Sequence, residues 1–441
     1  MSTQMILNRR RFGGLVILGC AGLVVSNGVA EAQPTDRATD AAGPLLASRW
    51  NQLALRTTAA AATSPAGEAR TLAIVHTAML DAVVAAENGG RPYSLRVGRP
   101  SSGSSTAAAT AAAHHTLRAL HPGQRKQLDA AYSVDRDRLP ADPYTRDGLA
   151  IGHASAAAIL ALRTGDGIAA PTTMLRSISI TPFVLGAADQ FRPEPPPELD
   201  SRTYAEDYDE VRSIGGMDSG RRSRAQTDTA RLWGGTAPQH WNRIVQQLAI
   251  NRHLSLVQSA ETFALVNLAG VDAFVAAEDA GPIYARLQPV AAIHAATAGV
   301  APARPTDPGW SPLITVSPGP EYPTPDTTYA GAAEAVLITL FGPRPGRLTL
   351  TSDAAPGIVR EHIEFQSVAT EMIDAQVWGG AHWRSSCVAG RNLGNRVGRH
   401  VLEHGLQAGP STLPPVRDPV SGRLLDRLDR WAPRGPVITT P

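Results

Sequence analysis

Apolar side chains recur every three or four positions in long stretches of this chain, and Gly or Pro closes almost every stretch. That period belongs to a helix buried along one face, and it leaves little sequence free for strands. The spacing predicts helices near Trp50–Leu53, over Ala69–Ala86, Thr106–Leu120 and Gln124–Tyr132, the last two separated by His121-Pro122-Gly123. Further helices are predicted over Asp147–Arg163, stopped by Gly165 and Gly167, and over Tyr204–Ile214 and Arg222–Leu232. The second half continues with His240–Leu248, Leu254–Asp279, Tyr284–Ala295, Thr324–Leu340 and Gly357–His404. Arg347–Ser352 is the best strand candidate, and the Pro-rich stretch from Ala169 to about Asp200 reads as a long ordered crossover. Abundant Ala and an aromatic share of only 5% favour the same outcome.

The expected fold is therefore all-α: two helical bundles with long connecting loops. The expected boundaries are 1–32 for a signal peptide, 33–44 for a flexible leader, 45–232 for a first bundle with the crossover, and 233–441 for a second bundle carrying the site cavity. A hydrophobic share of 43% with 18% charged residues excludes a wholly disordered chain.

A net charge of +2 gives no reason to expect nucleic acid or an anionic membrane as partner. The basic residues are nearly all Arg, and Lys126 is the single lysine. Asn8-Arg9-Arg10-Arg11-Phe12, an apolar run from Gly13 to Val25 and Ala30-Glu31-Ala32 together read as a twin-arginine export signal with a cleavage site. The expected location is extracellular or at the cell envelope. The apolar run is too short for a stable membrane span, and no integral segment is expected once it is removed. Cleavage would also leave Cys387 as the last cysteine, so no intrachain disulfide could form.

Several segments in one order resemble the bacterial vanadium-dependent haloperoxidases, relatives of the type 2 phosphatidic acid phosphatases. They are Leu72-Ala73-Ile74-Val75-His76-Thr77-Ala78-Met79, His240-Trp241-Asn242-Arg243-Ile244, Gln288-Pro289-Val290-Ala291-Ala292-Ile293, Glu321-Tyr322-Pro323-Thr324-Pro325-Asp326-Thr327 and Gly379-Gly380-Ala381-His382-Trp383. The resemblance implies a cage for an oxyanion: a lysine, an arginine before a proline, a Ser-Gly-His turn, a second arginine and a metal-binding histidine. In this chain the lysine place falls on Gly281, the first arginine place on Gln288, the turn on Thr324-Pro325-Asp326 and the second arginine place on Gln376. His382 alone keeps the family's residue. Charge-assisted hydrogen bonds contribute about 1.5–3 kcal/mol each, so losing three costs about 4.5–9 kcal/mol, roughly a thousand- to a million-fold in affinity. Arg286 and Arg384 each lie two positions from a family place.

The resemblance thus implies an atypical member with a degenerate vanadate site and no cofactor. Such homologues include enzymes of bacterial naphthoquinone–terpenoid pathways that catalyse an α-hydroxyketone rearrangement. His382 and Asp326 are the expected catalytic pair; Thr324, Gln288 and Gln376 are neutral donors to a substrate oxygen, and Trp378 and Trp383 stack on an aromatic substrate. The plainer readings are that Asp326 complements a helix dipole and that the tryptophans, with His240 and Trp241, belong to the core. The alternatives to an isomerase are a non-catalytic pseudoenzyme that binds an aromatic metabolite or partner, and a residual haloperoxidase or acid phosphatase. A homodimer is compatible with the sequence. His400-Val401-Leu402-Glu403-His404 spells an inverted zinc-protease motif, but Gly405 ends its helix at once and a zinc role is not expected.

Overall fold

A computed structural model of the chain describes residues 43–89, 92–95, 102–167, 180–295, 305–316, 319 and 321–406. The signal segment and nearly all of the leader lie outside the described residues; Gly43 and Pro44 already belong to the first helix. As the periodicity implies, the described chain is helical apart from one small ribbon.

In the first half lie α1 (Gly43–Ala60), α2 (Pro65–Ala86), α3 (Ser105–Leu120), α4 (Arg125–Arg136) and α5 (Pro143–Leu162). Capping chemistry sets their starts. Ser64, Ser104 and Asp142 accept from the backbone N–H groups of Gly67, Ala107 and Thr145 at 3.2, 3.2 and 2.7 Å. His121-Pro122-Gly123 separates α3 from α4 through a single 3-10 turn, and Gly165 and Gly167 follow α5 with φ of 72° and 102°.

After the crossover come α6 (Arg202–Ile214), α7 (Arg224–Leu232), α8 (Ala237–Asn251) and the long α9 (Leu256–Tyr284). They are followed by α10 (Pro289–His294), α11 (Pro325–Phe341), the antiparallel strands β1 (Leu348–Leu350) and β2 (Arg360–His362), α12 (Phe365–Trp378) and α13 (Arg384–His404). Two sequence expectations need correction here. Tyr284–Ala295 is not one helix: Pro289 denies the chain a donor and holds Gln288 extended, with Ala285 left-handed at φ 44°. Gly357–His404 is likewise interrupted, by β2 and by the Gly379–Gly380 turn.

The main core runs from Leu46 on α1 to Val401 on α13 without a break between the halves. Within the first half α3 packs on α5 and α2; within the second, α11 packs on α13 and α9. The α2–α9 pair joins the halves, with the His76 ring stacked on Phe263 at 4.6 Å between centroids. α2 and α9 are long and apolar enough to cross a membrane, yet both are buried inside the fold. Buried Asn242, Asn267 and Tyr329 hydrogen-bond one another and fix α8, α9 and α11 in register.

One feature of this packing positions the site. A Cβ on Gly394 of α13 would lie 1.9 Å from the Thr328 carbonyl of α11, and one on Gly390 would lie 2.3 Å from Thr327 Oγ1. The two helices therefore approach at backbone contact, which only glycine permits. Their N-termini, where the family-like motifs sit, are brought together as a result.

Candidate functional site

His382 is delivered by the end of α12. The Ala381 N–H reaches the Gln376 carbonyl at 2.9 Å and the Gly380 N–H reaches that of Val377 at 3.0 Å, with Gly380 left-handed at φ 75°. This is a Schellman stop, and Gly380 supplies the left-handed residue it requires. Opposite it, the segment 321–326 leads into α11, with a cis Tyr322–Pro323 bond and Pro325 at the first helical turn.

These two segments place His382 against Glu321. His382 Nδ1 lies 2.7 Å from Glu321 Oε2, and the other oxygen of Glu321 accepts the Trp383 N–H at 2.9 Å. Glu321 is 1% exposed and sits at the N-terminus of α13, where the helix favours negative charge. Burial alone raises the Glu321 pKa, while His382 and the Trp383 N–H oppose the rise. For His382 burial opposes protonation, but the charge and hydrogen bond of Glu321, helped by the charge of Asp326, outweigh it and move the pKa above the usual imidazole range. His382 Nε2 has no hydrogen-bond partner among the described residues.

The sequence paired His382 with Asp326, whereas its hydrogen-bond partner is Glu321. Asp326 is close enough to act on His382 through space, yet it makes no hydrogen bond to it. Asp326 lies in the first turn of α11, and its Oδ1 also accepts the Ala237 N–H at 3.3 Å from the start of α8. Burial raises its pKa, with Ala237 and His382 opposing. Asp326 lies deep in the protein and still keeps accessible surface, as a residue lining a recess does. Behind it, buried Glu68 of α2 accepts from Thr58 and Thr236 at 3.0 and 2.5 Å, and the Asp326 charge contributes to its raised pKa.

The other expected site residues divide. Gln376 is 4% exposed, and its side-chain amide has no partner among the described residues, so it remains an available donor. Gln288 heads α10, partly exposed, and donates to the Gly319 carbonyl at 3.3 Å. Trp378 is half-buried against the small cluster that includes Tyr204, Tyr208 and Trp310. Two expectations do not fit this geometry. Thr324 is fully buried with its hydroxyl turned to the Glu321 carbonyl and Cys387 Sγ, and that side chain does not cap α11. Trp383 is fully buried, stacks on Tyr208 and donates Nε1–H to the Leu287 carbonyl at 2.9 Å, so it has no free face for a substrate. His240 and Trp241 are buried as core residues, with burial holding His240 neutral at a pKa of about 3. His400 and His404 stack on each other at 4.2 Å, and Gly405 caps their helix.

The residues present do not fit vanadate. A bound oxyanion requires fixed cations. Here it would meet Asp326, with Glu321 behind His382, and neutral Gln288, Gln376 and Gly281 where cations would be needed. Arg384 cannot supply the charge, because Glu210 holds its Nε and Nη2 at 2.9 and 2.8 Å and Asp374 holds Nη1 at 2.7 Å. Arg286 lies 4.1 Å over the Tyr204 ring, and burial lowers its pKa.

Residues 261–408 match the family described as the VCPO second helical-bundle domain. Among solved structures the chain is similar to one described as the first bacterial vanadium-dependent iodoperoxidase, at 20% identity and a TM-score of 0.71, covering 84% of this chain and 98% of that one. It is also similar to apo-type and holo-type bacterial vanadium-dependent chloroperoxidase. The apo form is 15% identical, with a TM-score of 0.60 over 77% of this chain and 94% of that one. The holo form is 17% identical, with a TM-score of 0.59 over 84% and 96%. No curated protein matches by sequence. At these identities the likeness is one of fold: the chain has the helical architecture of the vanadium haloperoxidases.

Proposed function

We propose that this chain is a vanadate-independent enzyme on the haloperoxidase fold, and that it performs acid–base chemistry on a neutral organic substrate. The observation that carries this reading is the buried His382–Glu321 pair with Asp326 beside it, two carboxylates and, among the described residues, no free cation acting on the histidine. An imidazole, a carboxylate with accessible surface and an uncommitted amide on Gln376 are sufficient for proton transfer and for polarising a carbonyl. Neither an oxidant nor a metal is required for such a step.

The reaction proposed is an α-hydroxyketone 1,2-shift of an aromatic polyketide or naphthoquinone. It rests on the resemblance to rearranging homologues and is compatible with the donor set. The decisive assay is steady-state turnover of a hydroxyketone naphthoquinone, with circular dichroism to confirm folding. His382→Ala should lower turnover by about 10²–10⁴-fold, the usual scale for general acid–base catalysis. Full activity in a folded His382→Ala variant would remove the histidine from the mechanism, and no turnover by the wild type would favour a binding protein.

A residual haloperoxidase or phosphatase is the second reading, and Arg286 is the observation in its favour. That guanidinium has no ion pair among the described residues, and its Nη2 is buried without a hydrogen-bond partner. Vanadium analysis after dialysis against vanadate, with a peroxide and bromide assay, separates the two. We expect no stoichiometric vanadium and no halide-dependent turnover; either one would establish the second reading.

A further inference from the structure

The two carboxylates that act on His382 are not in equivalent states. Glu321 uses both oxygens within the protein, at 2.7 Å to His382 and 2.9 Å to Trp383, and it is 1% exposed. It cannot reach a substrate. Asp326 is held by a single long bond of 3.3 Å to the Ala237 N–H, and its Oδ2 has no partner among the described residues. His382 presents only Nε2, since Nδ1 is engaged by Glu321.

Resting on the acid–base reading above, we infer that His382 and Asp326 divide the proton transfers. His382 Nε2–H is the general acid, Asp326 is the general base, and Glu321 is a positioning residue that acts through Nδ1. A serine-hydrolase-like arrangement, with one carboxylate behind a neutral imidazole, would instead make the histidine the base. The second carboxylate reverses that expectation here. His382 faces Glu321 from the loop before α11 and Asp326 from the first turn of α11. Asp326 in turn faces His382 and, from α2, Glu68. The groups around Glu321 are His382, the buried Cys387 thiol and, at longer range, Arg286. Arg384 is committed to Glu210 and Asp374. Among the described residues no cation acts on the imidazole, and two carboxylates favour its charged form. The upward shift of the His382 pKa and that of Asp326 agree with this division, since a raised carboxylate is the stronger base.

For an α-hydroxyketone the step balances without a further reagent. Asp326 takes the alcohol proton, and the O–H pair becomes the π bond of a new carbonyl. The migrating carbon–carbon bond breaks, and its pair bonds the neighbouring carbonyl carbon. The π pair of that carbonyl passes to its oxygen, which takes the proton from His382 Nε2. One proton returned from Asp326 to His382 through water restores the site, and the product is an isomer of the substrate.

The test is an NMR titration of ¹⁵N-histidine-labelled full-length protein, with His382 assigned by its loss in His382→Gln. We expect both ring nitrogens of His382 to be protonated at pH 7. In Glu321→Gln the imidazolium population relative to neutral should fall about tenfold or more, and in Asp326→Asn it should fall less. If Glu321→Gln does not fold, Glu321→Asp should still lower the imidazolium population measurably. A neutral His382 in the wild type, or an unchanged titration in a folded Glu321 variant, would overturn the inference whatever the reaction. The pH profile of kcat completes the test: His382→Gln should remove the alkaline limb and Asp326→Asn the acidic limb. The opposite assignment of limbs would make His382 the base. Absent turnover with His382 protonated would instead overturn the hydroxyketone reading, and the catalytic roles with it.

Discussion

Asp81 and Asp272 hold the loops of the first half, and Asp326 sits at the candidate site in the second; the three aspartates are treated very differently. Asp81 of α2 accepts from the backbone of Tyr93, Ser94 and Leu95 and from the Ser94 hydroxyl, at 2.5 to 3.2 Å. Asp272 of α9 accepts the N–H groups of Phe183, Val184 and Leu185 at 2.6, 2.7 and 2.9 Å and so pins the crossover to the core. Asp326 has one bond of 3.3 Å. A buried carboxylate whose acceptor capacity is filled by backbone donors is a fastener. One left with an open oxygen and some accessible surface beside an imidazole is available for chemistry. Burial and the number of satisfied lone pairs point the same way: Asp81 and Asp272 are fully buried and filled, Asp326 is neither.

The strongest way to break this comparison is to remove each acid. Asp272→Ala would leave three N–H groups without an acceptor, two of them buried, at about 1–3 kcal/mol each, so a loss of about 3–9 kcal/mol is expected in urea denaturation. Asp326→Ala should cost about 1 kcal/mol or less in the same measurement, because only one long bond is lost. Equal losses at the two positions would make Asp326 another fastener and weaken its assignment as a base.

A smaller effect is expected where the site is assembled rather than where it acts. Gly394→Ala would force a methyl onto the Thr328 carbonyl, and overpacking of this kind costs about 1–3 kcal/mol. Because α11 and α13 carry Asp326 and follow His382, the variant should also lose turnover while still folding. Unchanged melting and turnover would mean that the α11–α13 contact can relax without disturbing the site.

The smallest effect at neutral pH concerns His240, whose ring nitrogens are buried without hydrogen-bond partners. His240→Phe should change stability by about 1 kcal/mol or less at pH 7, since no hydrogen bond is lost. Its folded pKa is held at about 3 against an ordinary value of 6.5, so the unfolded chain binds a proton that the folded chain refuses. The wild type therefore loses this contribution as pH falls from about 6.5 towards 3, by about 1.4 kcal/mol per pH unit once well below 6.5. His240→Phe should become progressively more stable than the wild type over that window. Parallel pH profiles would show that His240 has a partner after all, as Asp81 and Asp272 do.

Much of the fold was written locally. Three- and four-residue spacing, serine and aspartate caps and the Gly165–Gly167 stop are properties of short windows, and they placed most helices within a few residues. The break before Pro289 was equally local, since a proline restrains its predecessor, and it was missed because apolar spacing continued across it. Strand β2 carried no signal of its own; Arg360–His362 is extended because it pairs with Leu348–Leu350.

What the sequence by itself determined about the site was which side chains it offers: by the resemblance, Gly281, Gln288, Gln376 and Asp326 would fall where cations or a histidine are expected. Which groups meet was decided by tertiary structure. Glu321 lay in the same quoted segment as Asp326, and a glutamate five residues before it was visible as a candidate. Only the backbone contact of α11 with α13 turns it onto His382, 61 residues away. The same packing encloses Trp383 and turns the Thr324 hydroxyl inward. A hydrogen bond depends on a few tenths of an ångström between distant segments, and helical periodicity specifies which face is buried without specifying what that face will touch.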